Sequence, residues 1–116
     1  MAGMIVDWGA RERRRVKLES ELRRILAELP RLGVQKAILF GSLASGNVGQ
    51  ASDLDLILVA PFKQRFTRRL EQIYQALNPA IALDLFIYTP EEFSTMAEAN
   101  PFVRAAVAKG HVIYEA

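Results

Sequence analysis

An α/β (α+β) fold, a small mixed β-sheet of three to four strands flanked by helices, is predicted by three features of the sequence. Apolar residues recur at helical spacing over residues 11–29 and 63–77, while compact apolar runs of strand length occupy 34–40, 53–59 and 80–88. Proline and glycine stand between these segments, at Pro30, Gly33, Gly41, Pro61 and Pro79. The 116 residues, 51% hydrophobic and 24% charged, suit one domain spanning 1–116 with a single core.

Residues 1–10 lack periodicity and read as a flexible lead-in, with Asp7 available to cap the helix that follows. In that helix Leu18, Leu22, Ile25, Leu26 and Leu29 mark the apolar face, and Arg, Lys and Glu fill the others. The basic run Arg11, Arg13, Arg14, Arg15 and Lys17 is read as a solvated helix face, and Trp8 as a packing residue. Val34 to Phe40 is a short buried strand ending at Gly41. In the next strand, Asp53 to Val59, alternation puts Asp53, Asp55, Ile57 and Val59 on one face and Leu54, Leu56 and Leu58 on the other. Phe62, Phe66, Leu70, Ile73 and Leu77 mark the second helix, closed by Asn78-Pro79. Ala80 to Tyr88 is a third strand with one acid, Asp84, in line with Ala82 and Phe86; burying that acid requires a cation or hydrogen-bond donors. Thr89-Pro90-Glu91-Glu92 is a capping box, and Asn100-Pro101 starts a last helix that ends at Gly110. His111 to Tyr114 reads as a short fourth strand, with His111 an edge residue.

Composition narrows the function classes. With 15 Lys+Arg against 13 Asp+Glu, the net charge of +2 is too small to argue for direct nucleic-acid or membrane binding. The absence of cysteine rules out disulfides and thiolate metal sites and suits a reducing cytoplasm. No apolar run approaches the roughly 20 residues of a membrane span.

Chemistry concentrates between Gly41 and Asp55, where a glycine-rich loop joins two strands and two carboxylates open the second. Asp53 and Asp55 lie about 6.6 to 6.8 Å apart along one strand face, close enough for their oxygens to converge on cations. With Asp84 on a further strand, three carboxylates would repel one another unless a cation were shared. All-oxygen ligands without a nearby His or Cys favour Mg²⁺ or Mn²⁺, and Mg²⁺ held by few carboxylates is normally completed by substrate phosphates. A nucleoside triphosphate meets that need, with two ions neutralising charge on acceptor and leaving group. Gly41 admits phosphate close to the backbone, and Ser42 offers a hydroxyl and an amide.

At these residues the chain resembles the polymerase-beta-type nucleotidyltransferase superfamily, and within it the minimal nucleotidyltransferase (MNT) group. Gly41-Ser42, the ten residues Leu43 to Ser52, Asp53-Leu54-Asp55 and the later Asp84 match each element of that group's pattern, and the resemblance runs from about Val34 through Tyr114. It implies the nucleotidyltransferase fold, metal binding by Asp53 and Asp55, completion of the site and acceptor activation by Asp84, and triphosphate binding by Gly41 and Ser42. One departure is that many relatives carry basic residues in the Gly-Ser loop, where this chain has Leu43 and Ser45. Lys36, Lys63 or Arg65 are then the candidates to meet phosphate charge.

The resemblance further implies a cytoplasmic antitoxin that transfers AMP from ATP, with Mg²⁺, to a hydroxyl of a helical HEPN-type toxin, tyrosine being the expected acceptor. Two alternatives stand beside it. One is a binding module that neutralises its partner by contact, with vestigial nucleotide binding; the other is an enzyme that modifies a small molecule such as an aminoglycoside. An acceptor pocket for the latter would have to come from homo- or hetero-oligomerisation.

Overall fold

The computed structural model describes residues 8–116. Its elements are α1 (Trp8–Glu28), β1 (Lys36–Phe40), α2 (Gly41–Ser45), β2 (Leu54–Val59), α3 (Phe66–Leu77), β3 (Leu83–Tyr88), α4 (Pro90–Ala99), α5 (Pro101–Lys109) and β4 (His111–Glu115). Asp7 and most of the lead-in lie outside the described residues, as does the side chain of Trp8. Among the described residues the four strands form one sheet in the order β3-β2-β1-β4. β1 is antiparallel to β2 and to β4, while β2 is parallel to β3, so the sheet is mixed as expected. A parallel pair cannot be joined by a tight turn, and α3 supplies the crossover.

Strand alternation sorts the core into two layers. Leu54, Leu56 and Leu58, with Ala37, Leu39, Leu83, Leu85 and Ile87, pack against Leu18, Ile25 and Leu29 of the first helical segment and Ile73 and Leu77 of α3. On the other face Ile38, Ile57, Val59 and Tyr88 meet Val103 and Ala106 of α5, with Phe93 and Met96 of α4 alongside. The expected split of β2 therefore holds for Asp55, Ile57 and Val59 against Leu54, Leu56 and Leu58, while Asp53 falls just outside the strand. Each buried Leu or Ile contributes roughly 1.5–3 kcal/mol relative to exposure.

The helix starts after Tyr88 follow their sequence signals. Thr89 and Glu92 form both halves of the capping box, and Asn100 accepts from the Phe102 and Val103 amides at 2.9 and 3.1 Å. The strands are shorter than the apolar runs. Val34 is buried but precedes β1, and Ala80 points its N–H at the Glu21 carboxylate, with β3 starting only at Leu83.

Two departures have clear causes. Residues 41–45, expected as open loop, form the short helix α2: Gly41 at φ +78° turns the chain out of β1, and Gly46 at φ +83° ends the turn. Ser45 Oγ and the Asn47 amide both donate to the Ser42 carbonyl, closing it. The second departure is that charged residues also occupy helix faces expected to be apolar. Glu21 of α1 and Arg69 of α3 are buried, Glu21 accepting from Arg24 and the Ala80 amide, Arg69 paired with Glu92 at 2.5 Å and donating to the Gln64 carbonyl at 2.8 Å. Fully partnered, these groups avoid the cost of isolated buried charge.

Candidate active site

The site forms where β1 ends and β2 and β3 begin. Antiparallel pairing sets Phe40 opposite Asp55, and parallel pairing sets Asp55 opposite Asp84, so Gly41 and two carboxylates meet at one end of the sheet. The register is fixed by the leucine face: a one-residue slip would turn Leu54, Leu56 and Leu58 out of the core. Gly41 is demanded twice. Its positive φ disfavours any side chain, and a Cβ there would fall on the Asp55 carboxylate.

Asp55 and Asp84 stand side by side, close enough for a proton on one carboxyl to make a hydrogen bond to the other. The Asp55 carboxyl is pushed up to about 6, first by partial burial, then by that hydrogen bond and by the charges of Asp84 and Asp53. Asp84 itself is exposed, against the expectation of a buried acid. β3 is an edge strand, and the helices that cover the far part of this face leave its opening end uncovered.

Asp53 stands one residue before β2, and its carboxylate Oδ1 lies 3.9 Å from Arg14 Nη2. Arg14 also donates through Nε to the Ser52 carbonyl at 2.8 Å. The structure thus pairs Asp55 with Asp84 and sets Asp53 beside α1. Among the described residues no three His, Cys, Asp or Glu side chains converge as a metal-holding group. The Asp55–Asp84 pair nonetheless fits a divalent cation chemically: two adjacent hard oxygen donors, one half-buried and one exposed, with no ion pair to a protein cation among the described residues, match Mg²⁺ held by two carboxylates and completed by phosphate.

The basic residues proposed to meet phosphate charge lie elsewhere. Lys36 pairs in register with Val59, four strand positions from Phe40 and Asp55, and contacts Glu115 at 3.8 Å and the Phe93 ring at 5.9 Å. Lys36 is thus about 13 Å along the strands from Asp55, and Lys63 and Arg65 follow the far end of β2. The basic face of α1 is not purely solvated, because Arg14 reaches the site and Arg11 and Arg15 line a cleft of about 650 Å³ with Gly46, Asn47, Val48 and Gly49.

Sequence reasoning also missed an aromatic cluster. Phe40, Phe86 and Phe102 sit with ring centroids 5.1 to 5.8 Å apart, on the face that carries Asp55 and Asp84. Phe102 is half exposed and, with Phe40, Gly41, Ala105, Ala106 and Lys109, lines a cavity of about 190 Å³. The pattern held a signal: Phe86 follows Asp84 by two residues, hence on the same strand face.

Comparison with known proteins places this geometry. The model of the nucleotidyltransferase domain family matches residues 19–113, most of the chain and all of the Gly-Ser and Asp-x-Asp segment. The chain belongs to the nucleotidyltransferase domain family. In sequence, no curated protein matches it. In structure, it is similar to a Sulfolobus solfataricus protein assigned as a nucleotidyltransferase, at TM-score 0.66 and 15% identity over 97% of this chain and 93% of that one. It is also similar to a mutant of the MntA-HpeT toxin-antitoxin (TM-score 0.50, 22% identity, 84% and 72% coverage) and to a toxin-antitoxin solved with AMP-PNP (TM-score 0.50, 21% identity, 88% and 73% coverage). At these identities the likeness establishes a shared fold. The nucleotidyltransferase domain here consists of the sheet, its flanking helices and the open acidic end.

Proposed function

We propose that this nucleotidyltransferase domain transfers AMP from ATP to a hydroxyl of a partner protein, a tyrosine of a helical HEPN-type toxin, and so acts as a cytoplasmic antitoxin. The observation that carries this reading is the Asp55–Asp84 pair, set side by side at Gly41 and open to solvent. An acid pair with Asp84 open to solvent suits a macromolecular hydroxyl. The shared fold with two toxin-antitoxin structures, one solved with AMP-PNP, supports the choice of partner and nucleotide. Among the described residues no helix is long and apolar enough to cross a membrane, which is compatible with the cytoplasmic location.

In this reading Asp53, Asp55 and Asp84 hold Mg²⁺, with Mn²⁺ as a substitute, and Gly41 and Ser42 receive the triphosphate. Metal bound there would supply charge neutralisation on the triphosphate and make the acceptor hydroxyl more acidic. Asp84, the most exposed of the three acids, faces the incoming acceptor and takes its proton. The acceptor oxygen forms a bond to the α-phosphorus as the bond from that phosphorus to the β-phosphate bridging oxygen breaks, and pyrophosphate leaves with the electron pair. Asp55, half-buried beneath Gly41, holds the geometry in which both events occur on one line.

Incubation with labelled ATP, Mg²⁺ and the toxin should label the toxin, and Asp53→Ala should reduce labelling at least about 100-fold. An unlabelled toxin, or an Asp53→Ala protein that labels it equally, would sink the proposal. One observation favours a second reading, neutralisation by contact alone. The Gly41–Asp53 segment carries no Lys or Arg, and Asp53 is set beside Arg14 while Asp55 pairs with Asp84. A pure binder would still protect cells when both Asp53 and Asp55 are replaced by alanine.

A further inference from the structure

We infer that Arg14, on a helix remote in sequence from the acidic motif, is the residue that supplies positive charge to the phosphates of the nucleotide. The inference rests on the nucleotide-transfer reading above and adds to it a binding residue outside the motif. A triphosphate bound at Gly41 and Ser42 brings several negative charges toward three aspartates, and the segment from Gly41 to Asp53 contains no Lys or Arg to meet them. Lys36, Lys63 and Arg65 are at the opposite end of the sheet. Among the described residues, Arg14 is the one cation within 4.0 Å of Asp53, Asp55 or Asp84.

Its setting differs from that of an ordinary surface arginine. Nε is fixed by the Ser52 carbonyl at 2.8 Å, across 38 residues of sequence, and the side chain is only 20% exposed. Anchoring through Nε leaves the forked Nη end directed at the Ser52–Asp53 corner, with Nη2 3.9 Å from Asp53 Oδ1, an ion-pair distance too long for a hydrogen bond. A guanidinium anchored through Nε, whose Nη atoms make no hydrogen bond among the described residues, is prepared to donate to phosphate oxygens. Arg15, by contrast, is tied to Glu12 and Glu19. Lys109 lines the cavity beside Gly41 but is exposed and makes no ion pair with the acids.

The test is equilibrium binding of ATP, ADP and AMP with Mg²⁺ to the full chain, comparing wild type with Arg14→Met, Arg14→Lys and Lys109→Ala, alongside melting temperatures. Arg14→Met keeps the aliphatic stem. It should weaken ATP about tenfold or more and AMP by less than about threefold, flattening the preference for more phosphates, and Arg14→Lys should recover part of the ATP loss. Equal losses for ATP and AMP would show that Arg14 only braces the Ser52–Asp53 corner, which overturns the inference. An unchanged ATP affinity, or a greater ATP-specific loss in Lys109→Ala, overturns it too while leaving nucleotide transfer intact. A wild type that binds no nucleotide removes both this inference and the reading beneath it.

Discussion

The carboxylates of this domain are treated in two opposite ways. Away from the site, Glu21 and Glu92 are each matched to an arginine and to a backbone amide: Glu21 to Arg24 and Ala80, Glu92 to Arg69 and Thr89. Their arginine partners first of all, and the amides with them, hold both below the usual carboxylate range. At the site Asp55 has an acid for a neighbour, and its carboxyl is pushed up to about 6. The same sheet and helices support both arrangements. The difference is whether the fold brings a cation or a second acid alongside. An acid already matched to arginine holds the structure together, whereas an acid paired with another leaves a charge deficit that a bound cation can relieve.

The comparison can be broken at its structural side first. Glu92→Ala removes the partner of Arg69, whose side chain is 7% exposed, together with half of a capping box. A loss of about 2–4 kcal/mol is expected in urea unfolding. Asp53, half-exposed and outside the strand, gives the matching contrast, because its replacement should leave the unfolding midpoint nearly unchanged. Gly41→Ala comes next. Its φ of +78° and the Asp55 oxygen in the Cβ position predict about 1–3 kcal/mol of destabilisation and loss of transfer together, read by melting and by labelling of the partner.

The smallest effect sharpens the comparison by its sign. Asp55 has a folded value near 6, above the ordinary 3.8, so the metal-free folded state holds this proton more tightly than the unfolded chain. The associated stability is present in full below about pH 4 and is lost as pH rises to about 6, opposite to Glu21 and Glu92, whose contribution is lost as pH falls. Asp55→Asn should therefore stabilise the metal-free protein at pH 7 by about 1 kcal/mol, discounted for partial exposure, and by nearly nothing at pH 4. Equal effects at both pH values would show that the folded state does not raise the Asp55 carboxyl.

Much of the fold was legible because it rests on local rules. Period-two alternation in residues 53–59 separated the acid face from the leucine face, and Thr89, Asn100 and Gly110 marked helix ends by chemistry confined to a few residues. Gly41–Ser45 was illegible as a helix because five residues are too few to show periodicity, and what bends them is a glycine conformation. Arg14 was illegible for another reason: in sequence it is one of a run of basic residues, and only the packing of α1 distinguishes it from Arg13 or Arg15. Arg69 and Glu21 were hidden likewise, since a charged residue on an apolar helix face declares itself only when its partner, 23 or 59 residues away, arrives.

By itself, the sequence determined the alternation of helices and strands and the strand faces on which Asp55 and Asp84 stand, because each follows from short-range periodicity. The tertiary structure alone decided which acids meet. Parallel register set Asp84 against Asp55, while the crossing of α1 gave Asp53 an arginine, and both depend on contacts between segments that no local rule connects.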